Sequence, residues 1–451
     1  MSQELSSQEL KKDVARRGFN LNSPLTIIFI TVLIDLIGFG IVIPVLPIYS
    51  AEFGASATTI GLLVASYSIM QFIFTPILGQ LSDRYGRRPI LFFSLLGTSL
   101  GFLILGLANT LFLLFLGRIL DGITGGNIST AQAYIADVTT IENRAKGMGL
   151  LGAAFGLGFV LGPLIGGVLS KYGVHVPFYF AAAMALANAI LLYFVLPESL
   201  KKENRQPRKM QSRWRLLVDA VADSQMAMVI ALYFLVITAF SMMTTAFSIY
   251  TLYRFGYNAE NNGYLFGFIG ILAVIFQLGF FPKLTKAFGE AKLITVGAII
   301  MSVAFILVPF VSPETFGFIT SYVTGNQFLS SWLPNQIGGL MALLLGIAAF
   351  SIGNSMATPS LTSLGSKLSP PEKQGTSLGI LQSSASLARA VGPAFAGILL
   401  YSASATNDIQ VDDGSLFRMF WTAAAIIVGA FLLSLFFGRV RNEKYDLIKE
   451  S

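Results

Sequence analysis

Residues 25–49, LTIIFITVLIDLIGFGIVIPVLPIY, carry one charged side chain, Asp35, in an otherwise uncharged and mostly apolar run. A helix of roughly 20 apolar residues crosses the hydrocarbon core of a bilayer. Eleven further runs of this kind follow, and none shows the period-2 alternation of barrel strands. The sequence therefore predicts an all-α integral membrane protein with twelve transmembrane helices. The predicted spans, numbered one to twelve, cover residues 25–49, 58–81, 90–108, 111–135, 148–170, 177–196, 226–250, 262–281, 293–312, 336–358, 376–401 and 419–438.

The composition excludes a soluble protein and most enzyme chemistries. Of the 451 residues, 54% are hydrophobic and 12% are charged, whereas about 25% are charged in ordinary soluble domains. The chain has no cysteine and a single histidine, His175, which leaves no thiolate, no disulfide and no histidine cluster for a metal. We therefore expect no cofactor, no metal and no enzymatic activity. The net charge of +7 does not indicate a nucleic-acid partner, because in membrane proteins the position of basic residues matters more than their sum.

The distribution of Lys and Arg predicts the orientation of the chain. Of the 30 basic residues, 25 lie in the two tails and in the connections on the same side of the membrane. Only Lys171, Arg254 and Arg418 lie in the opposite connections. Because positively charged connections stay in the cytoplasm, both tails, 1–24 and 439–451, are expected there. The first tail lacks the apolar core and cleavage site of a secretory signal.

The twelve spans divide into two halves of six. The connection 197–225 carries seven Lys or Arg and is predicted to be a cytoplasmic linker between an N-terminal half, 25–196, and a C-terminal half, 226–438. Two internal similarities support this division. QLSDRYGRRPIL aligns with KLTKAFGEAKLI 203 residues later, and GLGFVLGPLIGG aligns with SLARAVGPAFAG 230 residues later. The difference between the two offsets fits the long connection 313–335, so the halves are predicted to be parallel repeats.

Four stretches make the pattern more specific: DLIGFGIVIPVLPIY at 35–49, GQLSDRYGRRP at 79–89, GRILDGITGGN at 117–127 and GLLGAAFGLGFVLGPLIGG at 149–167. Together with the six-plus-six plan they resemble the twelve-span drug:proton antiporters of the major facilitator superfamily, in particular the tetracycline-resistance exporter branch. The likeness continues through AYIADVTTIENRAKG and SLARAVGP and covers nearly the whole chain. It implies multidrug efflux, a role in antibiotic resistance and a bacterial cytoplasmic membrane. We expect a monomer in the lipid bilayer whose partners are a small-molecule substrate and protons.

The stretch GQLSDRYGRRP connects spans two and three and is the candidate gate. Its glycines permit a tight turn, and its one acid can pair with its arginines. The resemblance implies that Asp83 docks on a neighbouring helix end in one state and releases it in the other, and a plain topology anchor is the alternative. The second copy has Lys286 in place of Asp83, so the latch is expected in one half only. The gating candidates are Gly79, Asp83, Arg84, Gly86, Arg87 and Arg88.

Span five carries glycines at four-residue intervals. This spacing aligns small residues along one helix face and lets another helix approach the backbone closely. Close packing alone explains such rows, whereas the resemblance implies the motif that separates antiporters from symporters. The motif residues are Gly152, Gly156, Gly158, Gly162, Pro163 and Gly166.

Four ionisable residues lie inside the predicted spans, where an unpaired charge is costly and therefore indicates function. Asp35 lies about ten residues into span one, and a carboxylate at that depth is the candidate for proton exchange, with a static ion pair to Arg118 as the alternative. Arg118 and Asp121 lie three residues apart on span four and can pair along one helix face. The resemblance gives Arg118 a role in steering the proton. The proton-coupling candidates are therefore Asp35, Arg118 and Asp121.

The candidate substrate-binding residues are the intramembrane polar residues Gln71, Asn127 and Arg389. Gln71 resembles a polar site of the tetracycline branch, and Arg389 either lines a cavity or caps carbonyls freed near Pro393. The tetracycline branch carries acids in spans three and nine and a histidine in span eight, and this sequence has neither. A lipophilic or amphipathic substrate is therefore expected, and tetracycline with its bound metal is not.

Two rival functions remain open from the sequence. A metabolite facilitator or symporter, for a sugar for example, would take up its substrate without releasing a proton when it binds. A receptor or a lipid scramblase with the same fold would transport no solute, and the intramembrane charges argue weakly against it.

Overall fold

The computed structural model describes residues 23–139, 141–200, 224–326, 336–368, 374–405 and 407–449. Most of the tail 1–24 and most of the linker 197–225 therefore lie outside the described residues. Over the described ranges the chain is helical and contains no strand. The side-chain surroundings of some helical residues also lie outside the description, namely those of 76, 141–150, 152, 374–378 and 436–449.

Every predicted span corresponds to a helix. Spans one to six are Pro24–Ala51, Ala57–Tyr85, Arg87–Gly106, the pair Leu111–Thr124 and Asn127–Val138, Ile141–Ser170 and Val176–Val195. Spans seven to twelve are Ser224–Phe255, Ala259–Ile275, the part of Phe281–Leu307 that follows Gly289, Ile337–Lys367, Gln374–Leu400 and Asp413–Lys449. The part of Phe281–Leu307 before Gly289 continues span eight. Several helices extend beyond the predicted bounds, because hydropathy marks only the apolar part of a helix and not its polar ends. A short helix, Gly317–Thr324, lies in the long connection 313–335.

Eleven segments of the described chain are long and apolar enough to cross a bilayer. One of them, Ala259–Phe310, contains both span eight and span nine, and Gly289 interrupts it with a φ of 75°. Gly86, 203 residues earlier, separates spans two and three with a φ of 108°. Because glycine adopts such angles without steric cost, the sequence repeat recurs in the backbone. The twelve-span plan is therefore confirmed.

Span four is not the single helix that the sequence predicts. The helix ends at Thr124 and resumes at Asn127, with Gly125 and Gly126 between the two parts. Glycine is among the weakest helix formers, so two in succession weaken the helix at this point. The side-chain amide of Gln71 donates to the Gly125 carbonyl at 2.9 Å. At membrane depth a backbone carbonyl freed by a break requires such a partner.

The described residues pack into two compact units. Unit 1 contains span one, the described residues of 63–211 and the start of span eight, 259–267. Unit 2 contains the start of span two, 54–62, and the described residues of 212–258 and 268–451. Each unit is thus mostly one predicted half with a short stretch of helix from the other. The domain bounds 25–196 and 226–438 stay a prediction.

Each unit has its own apolar core. In unit 1, one buried cluster includes Val32, Leu95 and Leu192, which come from spans one, three and six. In unit 2, aromatic rings form much of the core. Phe305 lies edge-on to Phe350 with ring centroids 5.3 Å apart, and Tyr250 lies edge-on to Phe420 at 5.4 Å. Such edge-on pairs are favourable beyond their buried area.

Large apolar side chains also lie on the surface. Leu278, Phe194 and Phe112 have 79%, 77% and 73% of their area exposed. Monomeric soluble proteins rarely expose contiguous apolar surface of this kind. The exposed side chains fit contact with lipid tails, and the chain is a multi-pass integral membrane protein.

Candidate functional site

The intramembrane charges of span four form a buried ion pair. Arg118 and Asp121 have exposed fractions of 1% and 3%, and Nη1 of Arg118 lies 3.1 Å from Oδ2 of Asp121. The guanidinium also lies 4.3 Å from the ring centroid of Tyr67, within the range of a cation–π interaction. The pairing that the spacing predicts is confirmed. Arg118 is therefore held by an acid on one side and an aromatic ring on another.

Asp35 has a different partner from the one considered in the sequence. The side-chain amide of Asn127 donates to Oδ2 of Asp35 at 2.5 Å, whereas Arg118 forms an ion pair with Asp121. Asn127 begins the second part of span four, directly after the glycine break. The amide that was a substrate-binding candidate is thus engaged with the candidate proton carrier. It connects span one to the break in span four.

Four buried polar atoms of Asp35 and of span four have no hydrogen-bond partner among the described residues. They are Oδ1 of Asp35, Oδ1 of Asn127, Nε of Arg118 and Oγ1 of Thr130. Buried polar atoms are nearly always paired, so a cluster of exceptions requires an explanation such as water or a ligand. Unit 1 therefore contains free acceptors and a free donor at the position where proton exchange is expected.

Gln71 is also held inside unit 1. Its amide nitrogen donates to the hydroxyl of Tyr67 and to the carbonyl of Gly125, both at 2.9 Å. Tyr67 is the ring that lies against Arg118. Gln71 therefore links the buried ion pair to the break in span four.

Arg389, the remaining intramembrane charge, belongs to unit 2. Its Nη2 donates to the hydroxyl of Ser386 at 3.1 Å, and it lies close enough to the buried Tyr233 for the two to interact electrostatically. Its two predicted roles, lining a cavity and capping carbonyls near Pro393, both stay predictions.

The predicted gate in unit 1 is centred on one buried arginine. Arg87 is 7% exposed, and it contacts Asp83 at 2.5 Å and Asp137 at 3.2 Å. Its Nη1 also donates to the hydroxyl of Ser82 at 2.6 Å. Asp137 comes from the end of span four, so these contacts tie the connection between spans two and three to that end. We name Asp83, Arg87 and Asp137 the inner triad.

A carboxylate that the sequence analysis missed caps the start of span three. Glu198 accepts hydrogen bonds from the backbone nitrogens of Arg87 and Arg88 at 2.9 and 3.3 Å. An acid at a helix N-terminus satisfies free N–H groups and complements the helix dipole. Arg88 in turn donates to the carbonyl of Tyr193. Asp137 and Glu198 stand in AYIAD and PESL, but their partners are distant in sequence.

The other gating candidates have smaller roles in the observed contacts. Arg84 is exposed, and its guanidinium lies 5.3 Å from the ring centroid of Tyr85. Gly79 faces Ser129, whose hydroxyl would lie 3.5 Å from an added Cβ. Gly86 supplies the left-handed turn. Of the arginines in this stretch, Arg87 and Arg88 are therefore the two that hold it in place.

The glycine row of span five packs against span one. An added Cβ on Gly162 would lie 2.6 Å from Cα of Gly40, and one on Gly166 would lie 2.9 Å from the carbonyl of Ile41. Gly158 contacts Leu36, next to Asp35, whereas no atom of the described residues lies within 4 Å of a Cβ on Gly156. Gly158, Gly162 and Gly166 thus bring the backbone of span five against the helix that carries Asp35, and Cδ of Pro163 would lie 2.9 Å from a Cβ added to Gly40. Gly152 lies outside the residues whose surroundings are described.

A leucine at position 162 should destabilise the protein, and a leucine at position 156 should not. At 162 the new side chain meets the backbone of Gly40 and Ile37, which cannot move aside, and overpacking of this kind costs about 1–3 kcal/mol. At 156 the described part of the chain leaves the space open. The unfolding temperatures of Gly162→Leu and Gly156→Leu in detergent test this difference. Equal unfolding temperatures would contradict the described packing.

Two close helix contacts join spans five and eight in unit 1 and spans eleven and two in unit 2. A Cβ on Gly167 would lie 2.5 Å from Cα of Gly263, and a Cβ on Gly397 would lie 2.9 Å from Cα of Gly61. Beside the first contact, Nζ of Lys171 lies 2.8 Å from the carboxylate of Glu260. The hydrogen bond to Glu260 raises the pKa of Lys171 above its usual value, so the lysine stays charged. These contacts lie at the ends of the spans that the charge distribution predicts to face outside.

Known proteins with related sequences support the same architecture. A family model described as Major Facilitator Superfamily matches residues 28–337. The chain is 32% identical over 424 residues to the tetracycline resistance protein, class H, of Pasteurella multocida, covering 92% of this chain and 96% of that protein. It is 30% identical over 389 residues to multidrug resistance protein 2 of Bacillus subtilis (strain 168), covering 85% and 90%. A solved bacterial homologue of the human lysosomal transporter Spinster, inward-facing and unoccupied, shares the fold with a TM-score of 0.68 at 15% identity, covering 94% and 98%.

Proposed function

Since the chain belongs to the major facilitator superfamily, we propose that it exports small lipophilic or amphipathic molecules from the cytoplasm in exchange for protons. The superfamily consists of membrane transporters, and the proposal includes no chemical conversion of the substrate. Efflux of several drugs, and resistance to them, is the biological role that fits relatives named for tetracycline and multidrug resistance. The proposed location is a bacterial cytoplasmic membrane.

The observation that carries the proposal is the arrangement of Asp35 in unit 1. The side-chain amide of Asn127 donates to one oxygen of the Asp35 carboxylate. The other oxygen is buried and has no hydrogen-bond partner among the described residues. A carboxylate held this loosely at membrane depth can gain and lose a proton, whereas Asp121 is paired with Arg118. We assign proton exchange to Asp35 and a supporting role to the Arg118–Asp121 pair.

Of the three substrate-binding candidates, we assign an indirect role to Asn127 and Gln71 and a direct role to Arg389. Asn127 and Gln71 donate to Asp35 and to the span four break, so they act on substrate through the coupling site. Arg389 remains the candidate for direct contact with substrate from unit 2. Because the apolar stretches 90–108 of span three and 293–312 of span nine have no acid and span eight has no histidine, a metal-bound tetracycline is outside the proposed substrate class.

The proposed cycle is alternating access, in which the two halves open the substrate site to one side at a time. The inner triad holds the cytoplasmic end of span four in one state and releases it in the other. Energetically, one charge moved through 100 mV is worth about 2.3 kcal/mol and each pH unit adds about 1.4 kcal/mol. Exchange for one proton can therefore sustain a substrate gradient of order several hundredfold.

Proton release on substrate binding tests the proposal against its rivals. Lipophilic compounds that raise the unfolding temperature of the purified protein are first selected from a drug and metabolite panel. Each is then added to the protein in weakly buffered detergent solution with a pH indicator. An antiporter releases protons when it binds substrate. A facilitator, symporter, receptor or scramblase gives a stabilising ligand without proton release, and that result would reject the proposal.

The proposed topology has its own test, because single cysteines can be introduced into this cysteine-free chain without background. Tyr172, in the connection between spans five and six, is 77% exposed, and Lys292, between spans eight and nine, is also exposed. An impermeant thiol reagent added to intact cells should label Tyr172→Cys and leave Lys292→Cys unlabelled until the membrane is opened. The reverse pattern would place the tails outside.

A further inference from the structure

The inner triad has a counterpart in the second half with every charge inverted. The offset of 203 residues that aligns the two glycine turns places Lys286 at Asp83 and Glu290 at Arg87. The offset of 230 residues, which aligns spans five and eleven, places Lys367 at Asp137. The first half therefore reads acid, base, acid, and the second half reads base, acid, base. We name Lys286, Glu290 and Lys367 the inverted triad.

The structure brings two members of the inverted triad together within unit 2. Nζ of Lys367 donates to Oε1 of Glu290, as Arg87 pairs with Asp137 in unit 1. Glu290 is 5% exposed, and the hydroxyl of Ser363 donates to the same oxygen at 3.0 Å. Lys367 is the last residue of the span ten helix, and Asp137 is the last but one of the span four helix. The same two structural positions are therefore joined in both units.

The backbone around the two central residues also corresponds. Arg87 follows Gly86, with a φ of 108°, and Glu290 follows Gly289, with a φ of 75°. Each glycine turn starts the next span, so each buried central charge lies in the first turn of a helix. The expectation of a latch in one half only, which rested on Lys286 alone, therefore missed the Glu290–Lys367 pair.

We propose that Glu290 and Lys367 are positioning residues for transport and form a second, charge-inverted latch. The pair ties the connection between spans eight and nine to the inner end of span ten, as the inner triad ties its own connection to span four. A buried carboxylate with one cationic partner is well suited to this task, because separating the two leaves an uncompensated charge. The assignment rests on the proposed function, since a positioning role requires a transport cycle.

Charge exchange provides the test. We compare Glu290→Lys, Lys367→Glu and the double variant in proteoliposomes, measuring the rate of substrate transport, the equilibrium affinity and the unfolding temperature. Each single reversal places two like charges together and should slow transport at least tenfold, with affinity within about twofold of wild type. The double variant should recover to within about threefold of the wild-type rate. Lys283→Glu, at an exposed lysine in the same connection as Glu290, makes the same change in charge as Lys367→Glu and should leave the rate unchanged.

The outcomes separate the latch from a purely structural pair. If the rate falls only in proportion to a lower unfolding temperature, or if the double variant stays as slow as the single variants, the latch is rejected. If Glu290→Lys does not fold, Lys367→Gln replaces it, because that side chain is 63% exposed and its removal leaves Glu290 bonded to Ser363. Absence of transport in the wild-type protein would reject the proposed function instead. The latch requires a transport cycle and would be rejected together with that function, whereas the outcomes above reject the latch alone.

Discussion

Asp35→Asn is expected to abolish substrate accumulation driven by a pH gradient while downhill exchange of substrate continues. Asn127 holds only one oxygen of Asp35, and the other is buried without a partner, so this carboxylate is available for proton exchange. An amide has nearly the same shape and cannot gain or lose a proton. The variant can still bind substrate and change conformation. Its residue 35, however, is no longer protonated in one part of the transport cycle and deprotonated in the other. Accumulation should fall to the level of liposomes without a gradient.

Asp121→Asn is the matched control for this prediction. It makes the same chemical change on a residue whose carboxylate is already paired with Arg118 at 3.1 Å. Its effect should be smaller, because the ion pair positions Arg118 and does not need to titrate. Both variants are measured in proteoliposomes with and without an imposed pH gradient. If Asp35→Asn keeps full gradient-driven accumulation while Asp121→Asn loses it, the roles of the two acids are exchanged.

Arg87→Gln is expected to slow transport at least tenfold, which corresponds to about 1.4 kcal/mol in the barrier, with nearly unchanged substrate affinity. Arg87 is the cation that Asp83 and Asp137 share, and its loss leaves two carboxylates close together without a cation, although the hydroxyl of Ser199 still donates to Asp137. Leaving such groups unsatisfied costs about 1–3 kcal/mol, more for charged ones. This loss of stability affects the conformation in which the inner triad is assembled. The transport rate therefore changes more than the substrate affinity.

Arg84→Gln removes the same charge from the same connection and serves as the comparison. Arg84 is exposed and contacts the ring of Tyr85, so its substitution should have a much smaller effect on turnover. Initial rates and equilibrium affinities are measured for both variants. Equal losses would mean that the connection acts through its total charge, and a loss of affinity in Arg87→Gln would place Arg87 in the substrate site.

The sequence predicts the fold well because hydropathy and glycine spacing are local properties. Twelve apolar runs predict twelve helices, and the pairing of Arg118 with Asp121 follows from a spacing of three residues on one helix. The break in span four also had a local signal, the two adjacent glycines 125 and 126, but an apolar run hides a break because its hydropathy stays high.

The contacts of the site are less predictable because they join residues far apart in sequence. Asn127 and Asp35 are separated by 92 positions, and Glu198 and the Arg87 amide by 111. No helical period brings such residues together. The internal repeat is the exception, since it relates distant positions in pairs. Applied to every charge near the glycine turns, it would have predicted the Glu290–Lys367 pair from the sequence.

The central claim is that substrate and protons move in opposite directions through one cycle. Proteoliposomes that contain wild-type protein, a pH-sensitive dye and a selected substrate are diluted into substrate-free buffer at the same pH. As substrate leaves, antiport predicts that protons enter and the interior becomes more acidic, and that Asp35→Asn shows no change. An interior that becomes alkaline as substrate leaves would show symport, and an interior pH that stays constant during substrate efflux would show uncoupled transport. Either result would contradict the account.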